Sequence, residues 1–108
     1  MAYKTGWLPP LPDFRDHRSP LGMVEGISIK KPKEIPSYID LTKWFPKIEN
    51  QFQIGSCTAQ AGTGLVEYWE NKTKGSYVEG SRLFLYKTTR NLLHWTGDTG
   101  AYLRSTMK

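Results

Sequence analysis

Cysteine and histidine are scarce in this sequence, with one Cys and two His among 108 residues. A single cysteine excludes a disulfide within the chain, and so few thiol and imidazole groups do not give the ligand spacing of a metal site. No stretch approaches the roughly 20 apolar residues of a membrane-spanning helix, and the first residues lack the basic and then apolar pattern of a secretory signal. We therefore expect a soluble cytoplasmic protein without a membrane span, a metal or a cofactor.

The excess of positive over negative residues is also small. Lys and Arg number 15 against 10 Asp and Glu, which gives a net charge of +5. The basic residues are dispersed, and the densest cluster is Lys30-Lys31-Pro32-Lys33. Because no helix-turn-helix, zinc-finger or RNA-recognition pattern accompanies this charge, nucleic acid is not the expected partner.

Proline is concentrated at one end of the chain, with six of its seven residues at positions 1–37. Proline removes a backbone donor and favours extended geometry in the residue before it. The sequence therefore predicts an extended arm over residues 1–37, followed by a mainly helical domain over residues 38–108. The arm carries four apolar residues that either anchor it to an apolar surface or belong to a partly ordered tail: Trp7, Leu8, Leu11 and Phe14.

A first helix is predicted from the residue after Ser56, its N-cap, to Lys74, with Gly75 as a left-handed cap. Apolar residues recur at helical spacing and predict the buried face: Ala61, Leu65, Tyr68 and Trp69. The predicted polar side carries Glu67, Glu70 and Lys72. The helix-breaking Gly62 and Gly64 indicate close packing against a neighbouring element.

Shorter elements flank this helix. Residues 39–45 are predicted to form a short strand or a turn, and Ser81 is predicted to cap a second helix over residues 82–93. Residues 95–100 indicate a Gly-rich loop, in which Asp98 and Thr99 are capping candidates for a third helix over residues 101–108.

The cysteine, Cys57, lies directly after a Gly-Ser turn at the start of the first predicted helix. An inert buried thiol is the ordinary interpretation of a free cysteine. At a helix start, however, unpaired N–H groups stabilise a thiolate, and Gly55 permits close approach of a substrate backbone. The amide of Gln51 and the Cys57 backbone N–H would form a two-donor oxyanion hole.

The segment Asn50-Gln51-Phe52-Gln53-Ile54-Gly55-Ser56-Cys57-Thr58-Ala59 resembles the nucleophile segment of papain-family cysteine peptidases. The resemblance implies that Cys57 is the nucleophile and Gln51 the oxyanion-hole side chain. It extends to residues 39–44, similar to the start of the mature peptidase, to residues 81–86, similar to the second helix of prokaryotic members, and to residues 6–16, similar to their leader. By this resemblance the substrate-binding residues are Gly55, Ser56, Asp98, Thr99 and Gly100.

Three departures from the family accompany these matches. Thr58 replaces the usual Trp, and Ile54 stands where many secreted members have a disulfide-bonded cysteine. The family places its base histidine and orienting asparagine about 130–150 residues beyond the nucleophile, whereas 51 residues follow Cys57 here. Neither His17 nor His94 matches the base position.

The resemblance therefore implies a leader followed by the helical left half of a papain-like α+β fold, truncated before the right half. As an enzyme part, the chain would hydrolyse peptide or protein substrates only when a right half completes it. The leader is expected to block the cleft. The alternatives are a non-catalytic assembly subunit, whose protein partner covers the exposed left-half face, and a fragment of a longer peptidase.

Overall fold

A computed structural model describes residues 4–15 and 36–108. The chain divides into two compact units, one formed by residues 1–10 and 41–108 and the other by residues 11–40. In the second unit, a guanidinium nitrogen of Arg15 lies 2.6 Å from a carboxylate oxygen of Asp13. Much of the predicted extended arm, with His17 and the basic cluster at residues 30–33, lies outside the described residues.

In the part of the first unit that the structure describes, the chain forms three helices, one 3₁₀ turn and two very short strands. In chain order these are β1 (Trp7–Leu8), a 3₁₀ turn (Thr42–Trp44), α1 (Cys57–Lys74), α2 (Arg82–Leu92), β2 (Ala101–Tyr102) and α3 (Leu103–Met107). The strands pair in parallel, with Trp7 opposite Ala101 and Leu8 opposite Tyr102. The mainly α class is confirmed. Within the described residues, no helix combines the length and the apolar character that crossing a membrane requires.

The ends of α1 agree with the prediction. The helix begins at Cys57 and ends at Lys74, and Gly75 follows at φ 75° with its N–H donating to the Asn71 carbonyl. Glycine suits this left-handed position because it has no Cβ. Ser56 occupies the N-cap position, but its buried hydroxyl makes no hydrogen bond to the residues that the structure describes.

The predicted buried face of α1 is wrong except at Tyr68. Ala61, Leu65 and Trp69 are exposed, and the buried stripe consists largely of small or polar residues: Thr58, Ala59, Gly62, Thr63, Glu67 and Tyr68. A Cβ on Gly62 would lie 3.2 Å from the Thr106 side chain of α3, so the close packing predicted there is confirmed. A Cβ on Gly64 would have no atom of another described element within 4 Å, so the prediction of close packing is wrong for that glycine.

Glu67, predicted on the polar side of α1, is instead 1% exposed. Its Oε2 lies 2.8 Å from a guanidinium nitrogen of Arg82, and its Oε1 accepts a hydrogen bond from the Gly80 N–H at 2.8 Å. A buried carboxylate needs such partners because the interior solvates charge poorly. The ion pair joins α1 to the first residue of α2.

The second helix begins as predicted, because the Ser81 hydroxyl accepts a hydrogen bond from the Phe84 N–H at 3.2 Å. Of the two alternatives predicted for residues 39–45, the turn is confirmed, since residues 42–44 form a 3₁₀ turn. Two predictions for the third helix are corrected. It begins at Leu103 because residues 101–102 pair with β1, and neither Asp98 nor Thr99 caps it, since Tyr102 is the N-cap residue.

Candidate active site

The loop before α1, residues 50–56, is a series of tight turns that leads to Cys57. Asn50 accepts a hydrogen bond from the Phe52 N–H through its side chain at 2.8 Å, and the Ile54 N–H donates to the Gln51 carbonyl at 3.2 Å. The Ser56 N–H then donates to the Ile54 carbonyl at 2.8 Å. This pre-helix loop places Cys57, whose side chain is partly buried, at the first position of α1.

A second loop, residues 95–100, lies on α2 and is called the Gly loop below. Arg90, 3% exposed, donates from its guanidinium to the carbonyl oxygens of Thr96 and Gly100. The Tyr86 hydroxyl accepts a hydrogen bond from the Gly100 N–H at 3.1 Å. Because Tyr86 and Arg90 are four residues apart on one helix face, α2 holds the Gly loop at two points.

Asp98 connects the two loops. Its Oδ1 accepts hydrogen bonds from the Tyr86 hydroxyl at 2.6 Å and from the Gly55 N–H at 2.9 Å. Hydrogen bonds from Lys4 and then Tyr86 lower the pKa of Asp98, which stays ionised. Burial, together with the hydrogen bond to Asp98, raises the pKa of Tyr86, which keeps its proton. The two groups are thus held in the charge states that this hydrogen bond requires.

The backbone of residues 4–6 contacts the side chains of both Cys57 and Gln51, the residues that the resemblance identifies as catalytic. The Gly6 N–H donates to the Cys57 Sγ at 3.2 Å. The Gln51 Nε2 donates to the Lys4 carbonyl at 2.7 Å and to the Ile54 carbonyl at 3.0 Å. One backbone segment, residues 4–6, is therefore hydrogen-bonded both to the Cys57 thiol and to the Gln51 amide.

Three glycines allow this close approach. A Cβ on Gly6 would overlap the backbone of Gly55, and a Cβ on Gly100, which has φ 85°, would overlap the Gly6 carbonyl. The Gly6 carbonyl in turn accepts a hydrogen bond from the Ala101 N–H at 2.8 Å, where β1 and β2 begin to pair. Gly6 thus lies between the pre-helix loop and the Gly loop.

Two cavities adjoin this segment. One, of about 420 Å³, has Cys57, Gln51 and Gln60 in its lining, together with Lys4 and Thr5. The other, of about 440 Å³, is lined by Leu8, His94, Trp95, Thr96 and Thr99. The histidine of the described residues, exposed His94, therefore lines a different cavity from the one at the thiol.

The structure brings together Cys57, Gln51, Gly55, Asp98 and Gly100 among the residues predicted from the sequence. Buried Ser56 adjoins them in the chain, while Thr99 lines the cavity that contains His94.

The predicted leader anchors differ from one another in burial. Leu8 is half-buried and Trp7 is 53% exposed. Leu11 and Phe14 are 70% and 97% exposed. The segment of residues 4–8 is held largely through its backbone, by the hydrogen bonds of Lys4 and Gly6 to the site.

Four residues of the site were not identified from the sequence: Lys4, Gly6, Tyr86 and Arg90. The spacing of Tyr86 and Arg90 on a predicted helix was a usable signal, because residues four apart share a face. Gly6 was recognisable as a residue without a side chain in a proline-rich arm. Comparison with protein-family models, with curated proteins and with solved structures finds no match to this chain.

Proposed function

We propose that the chain is the nucleophile-bearing half of a papain-like cysteine peptidase and that its leader occupies the cleft. Cys57 attacks the carbonyl carbon of a peptide bond, and the Gln51 amide and the Cys57 backbone N–H hold the oxyanion that develops. The thiol proton passes through the base to the amine, which leaves as the C–N bond breaks, and water then releases the acyl group from the sulfur. The substrate is a peptide or protein whose backbone takes the place of residues 4–6.

The observation that carries this proposal is the pair of contacts made by one peptide segment. Gln51 donates to a peptide carbonyl at 2.7 Å, while the thiol of Cys57 contacts the same segment two residues further on. An oxyanion-hole donor must have this reach toward a peptide oxygen. An inert thiol in a core has no need of a neighbouring amide aimed at a bound backbone.

The bound leader also lacks the arrangement of a reacting substrate. The leader group that is hydrogen-bonded to Sγ is the Gly6 N–H, which is a donor and offers no carbonyl carbon for attack. Nucleophilic attack needs a carbonyl carbon close to the sulfur and in line with its lone pair. The leader therefore covers the thiol as an inhibitor does.

The general base is assigned to a second, right-hand half, as the resemblance implies. His94, the histidine of residues 4–15 and 36–108, lines the other cavity. An apolar groove of about 690 Å³, with Phe45, Ile48 and Leu65 in its lining, runs along α1. We place the right half on this groove because exposed apolar surfaces of this kind favour burial by a partner.

The proposal is tested by comparing two reagents on the chain's single cysteine. A peptidyl chloromethyl ketone passes through a tetrahedral adduct that an oxyanion hole stabilises, whereas iodoacetamide does not. In a Gly6→Ala background, which displaces the leader, Gln51→Ala should slow the ketone about 100-fold and leave the iodoacetamide rate unchanged.

Gln53→Ala is the matched control, because this glutamine lies on the same pre-helix loop and is exposed. We expect it to change neither rate. Equal effects of Gln51→Ala on both reagents, or no effect on either, would reject the role of Gln51 and with it the proposed function.

A second candidate, a non-catalytic assembly subunit, is favoured by the exposure of the α1 face. Large apolar side chains there are open to solvent: Phe45, Ile48, Leu65, Val66 and Trp69. In this case a protein partner covers the groove while the leader stays on Cys57. Stoichiometric co-purification of a partner that is lost in Leu65→Lys, combined with no preference of Cys57 for the peptidyl ketone, would support this candidate over the peptidase.

A further inference from the structure

Lys4 of the leader makes a charged contact with the site, and this contact is separate from the backbone contacts at Cys57. The ammonium nitrogen of Lys4 lies 2.7 Å from Oδ2 of Asp98 and 2.8 Å from the Asp98 carbonyl oxygen. Both side chains are partly exposed, at 49% for Lys4 and 36% for Asp98. The pair is therefore accessible to solvent ions, although the Asp98 carboxylate also accepts hydrogen bonds from Gly55 and Tyr86.

The two oxygens of Asp98 have different partners. Oδ1 accepts from the Tyr86 hydroxyl at 2.6 Å and from the Gly55 N–H at 2.9 Å. Oδ2 accepts from Lys4, with a longer contact of 3.2 Å from the Gly55 N–H. Removal of Lys4 therefore leaves the carboxylate attached to α2 and to the pre-helix loop.

We propose that Lys4 and Asp98 form a releasable latch, in which their ion pair holds the leader over Cys57 and its release uncovers a site that is already shaped. Competing ions, or an acidic group that binds Lys4, open the latch. Asp98 then remains as a positioning residue, because Gly55 and Tyr86 still fix it. This inference rests on the leader's role in the proposed function, but its readout is thiol accessibility and needs no peptide hydrolysis.

Salt distinguishes the latch from the other leader contacts. The hydrogen bonds from the Gly6 N–H to Sγ, from Gln51 to the Lys4 carbonyl and from Ala101 to the Gly6 carbonyl are all donated by uncharged amide groups. Salt screens a partly exposed ion pair, whereas it has little effect on hydrogen bonds from neutral donors. The salt dependence of thiol accessibility therefore reports on Lys4 and Asp98.

The test measures the rate at which Cys57 reacts with 4,4′-dithiodipyridine, an uncharged reagent. We expect Lys4→Met to raise the rate about fivefold at low salt, the upper range for a partly exposed pair. We also expect the wild-type rate to rise with sodium chloride and the variant's rate to be nearly independent of it. Lys74→Met is the control, because Lys74 pairs with Glu70 at the opposite end of α1.

Asp98→Asn, with Lys4→Met, makes a double-mutant cycle. Asparagine keeps an oxygen that can accept hydrogen bonds from Tyr86 and Gly55, but it lacks the negative charge. Lys4→Met and Asp98→Asn combined should be no more reactive than the faster single variant. A wild-type rate in Lys4→Met, retained salt dependence in that variant, or effects of Lys74→Met equal to those of Lys4→Met would overturn the latch. Failure of the proposed peptidase is seen separately, in the Gln51 dependence of the peptidyl ketone.

Discussion

Gly6→Ala is the smallest change that should remove the leader from Cys57. Gly6 faces the backbone of Gly55, and a Cβ placed on it would overlap the carbonyl group and Cα of that residue. Backbone cannot rotate aside as the end of a flexible side chain can. The methyl group is therefore accommodated only if residues 4–8 move away from the pre-helix loop.

The size of the effect follows from the cost of overpacking. One additional carbon in a closely packed position costs about 1–3 kcal/mol, and each 1.4 kcal/mol changes an equilibrium about tenfold. The occupancy ratio of docked to undocked leader should thus fall by about 5- to 150-fold. The core cluster consists of Ala59 on α1, Tyr86 on α2 and Ala101 on β2, and Ala101 also donates a hydrogen bond to the Gly6 carbonyl. Because the pairing of α1 with α2 does not pass through that hydrogen bond, we expect the helices to remain folded in Gly6→Ala.

The assay is the pseudo-first-order reaction of Cys57 with 4,4′-dithiodipyridine, which reports one site because the chain has one cysteine. Gly64→Ala is the matched control, since no atom of the described residues outside the adjoining turns of α1 lies within 4 Å of its added Cβ. It should raise the stability of α1 by up to about 1 kcal/mol and leave the thiol rate unchanged. A wild-type thiol rate in Gly6→Ala would refute the reasoning that the leader covers Cys57 through this contact.

Two further predictions concern the Glu67–Arg82 ion pair and Tyr86, which support the site from α1 and α2. Arg82→Met leaves the Glu67 carboxylate buried without its ionic partner, and we expect a loss of about 3–5 kcal/mol in the free energy of unfolding, measured by urea denaturation. Tyr86 has a raised pKa in the folded protein because of burial and its hydrogen bond to Asp98. Its contribution to stability is therefore complete below the ordinary tyrosine pKa of about 10 and is lost as the pH rises through the higher folded value. Ultraviolet titration should show a late tyrosinate that is absent in Tyr86→Phe, and no such difference would contradict this assignment.

Helix ends were predictable from the sequence because their signals are local. Gly75 ends α1 through its own backbone freedom, and Ser81 begins α2 by accepting from Phe84, three residues away. The position of Cys57 at a helix start followed from the same type of signal. These predictions required no knowledge of which elements meet.

The buried face of α1 was not predictable from apolar spacing. Close contact with α3 at Gly62 requires small residues, and these carry little hydropathy. Glu67 is buried because Arg82, 15 residues later, neutralises it, and nothing near Glu67 in the sequence indicates that partner. Likewise, the contact of Lys4 with Asp98 joins residues 94 positions apart.

The contacts that hold the leader indicate which features of a peptide would favour binding at Cys57 and Gln51. Its apolar residues Leu11 and Phe14 are exposed, whereas its contacts with Cys57 and Gln51 come from backbone groups of Gly6 and Lys4. Backbone hydrogen bonds can bind any extended peptide, so under the proposed function we expect selectivity at the positions of Lys4 and Gly6. A peptide that replaces the leader in this register should need a residue without a Cβ at the position of Gly6 and should gain from a cation two residues before it. Within residues 4–8, binding of this segment thus depends on the small size of Gly6 and on the charge of Lys4.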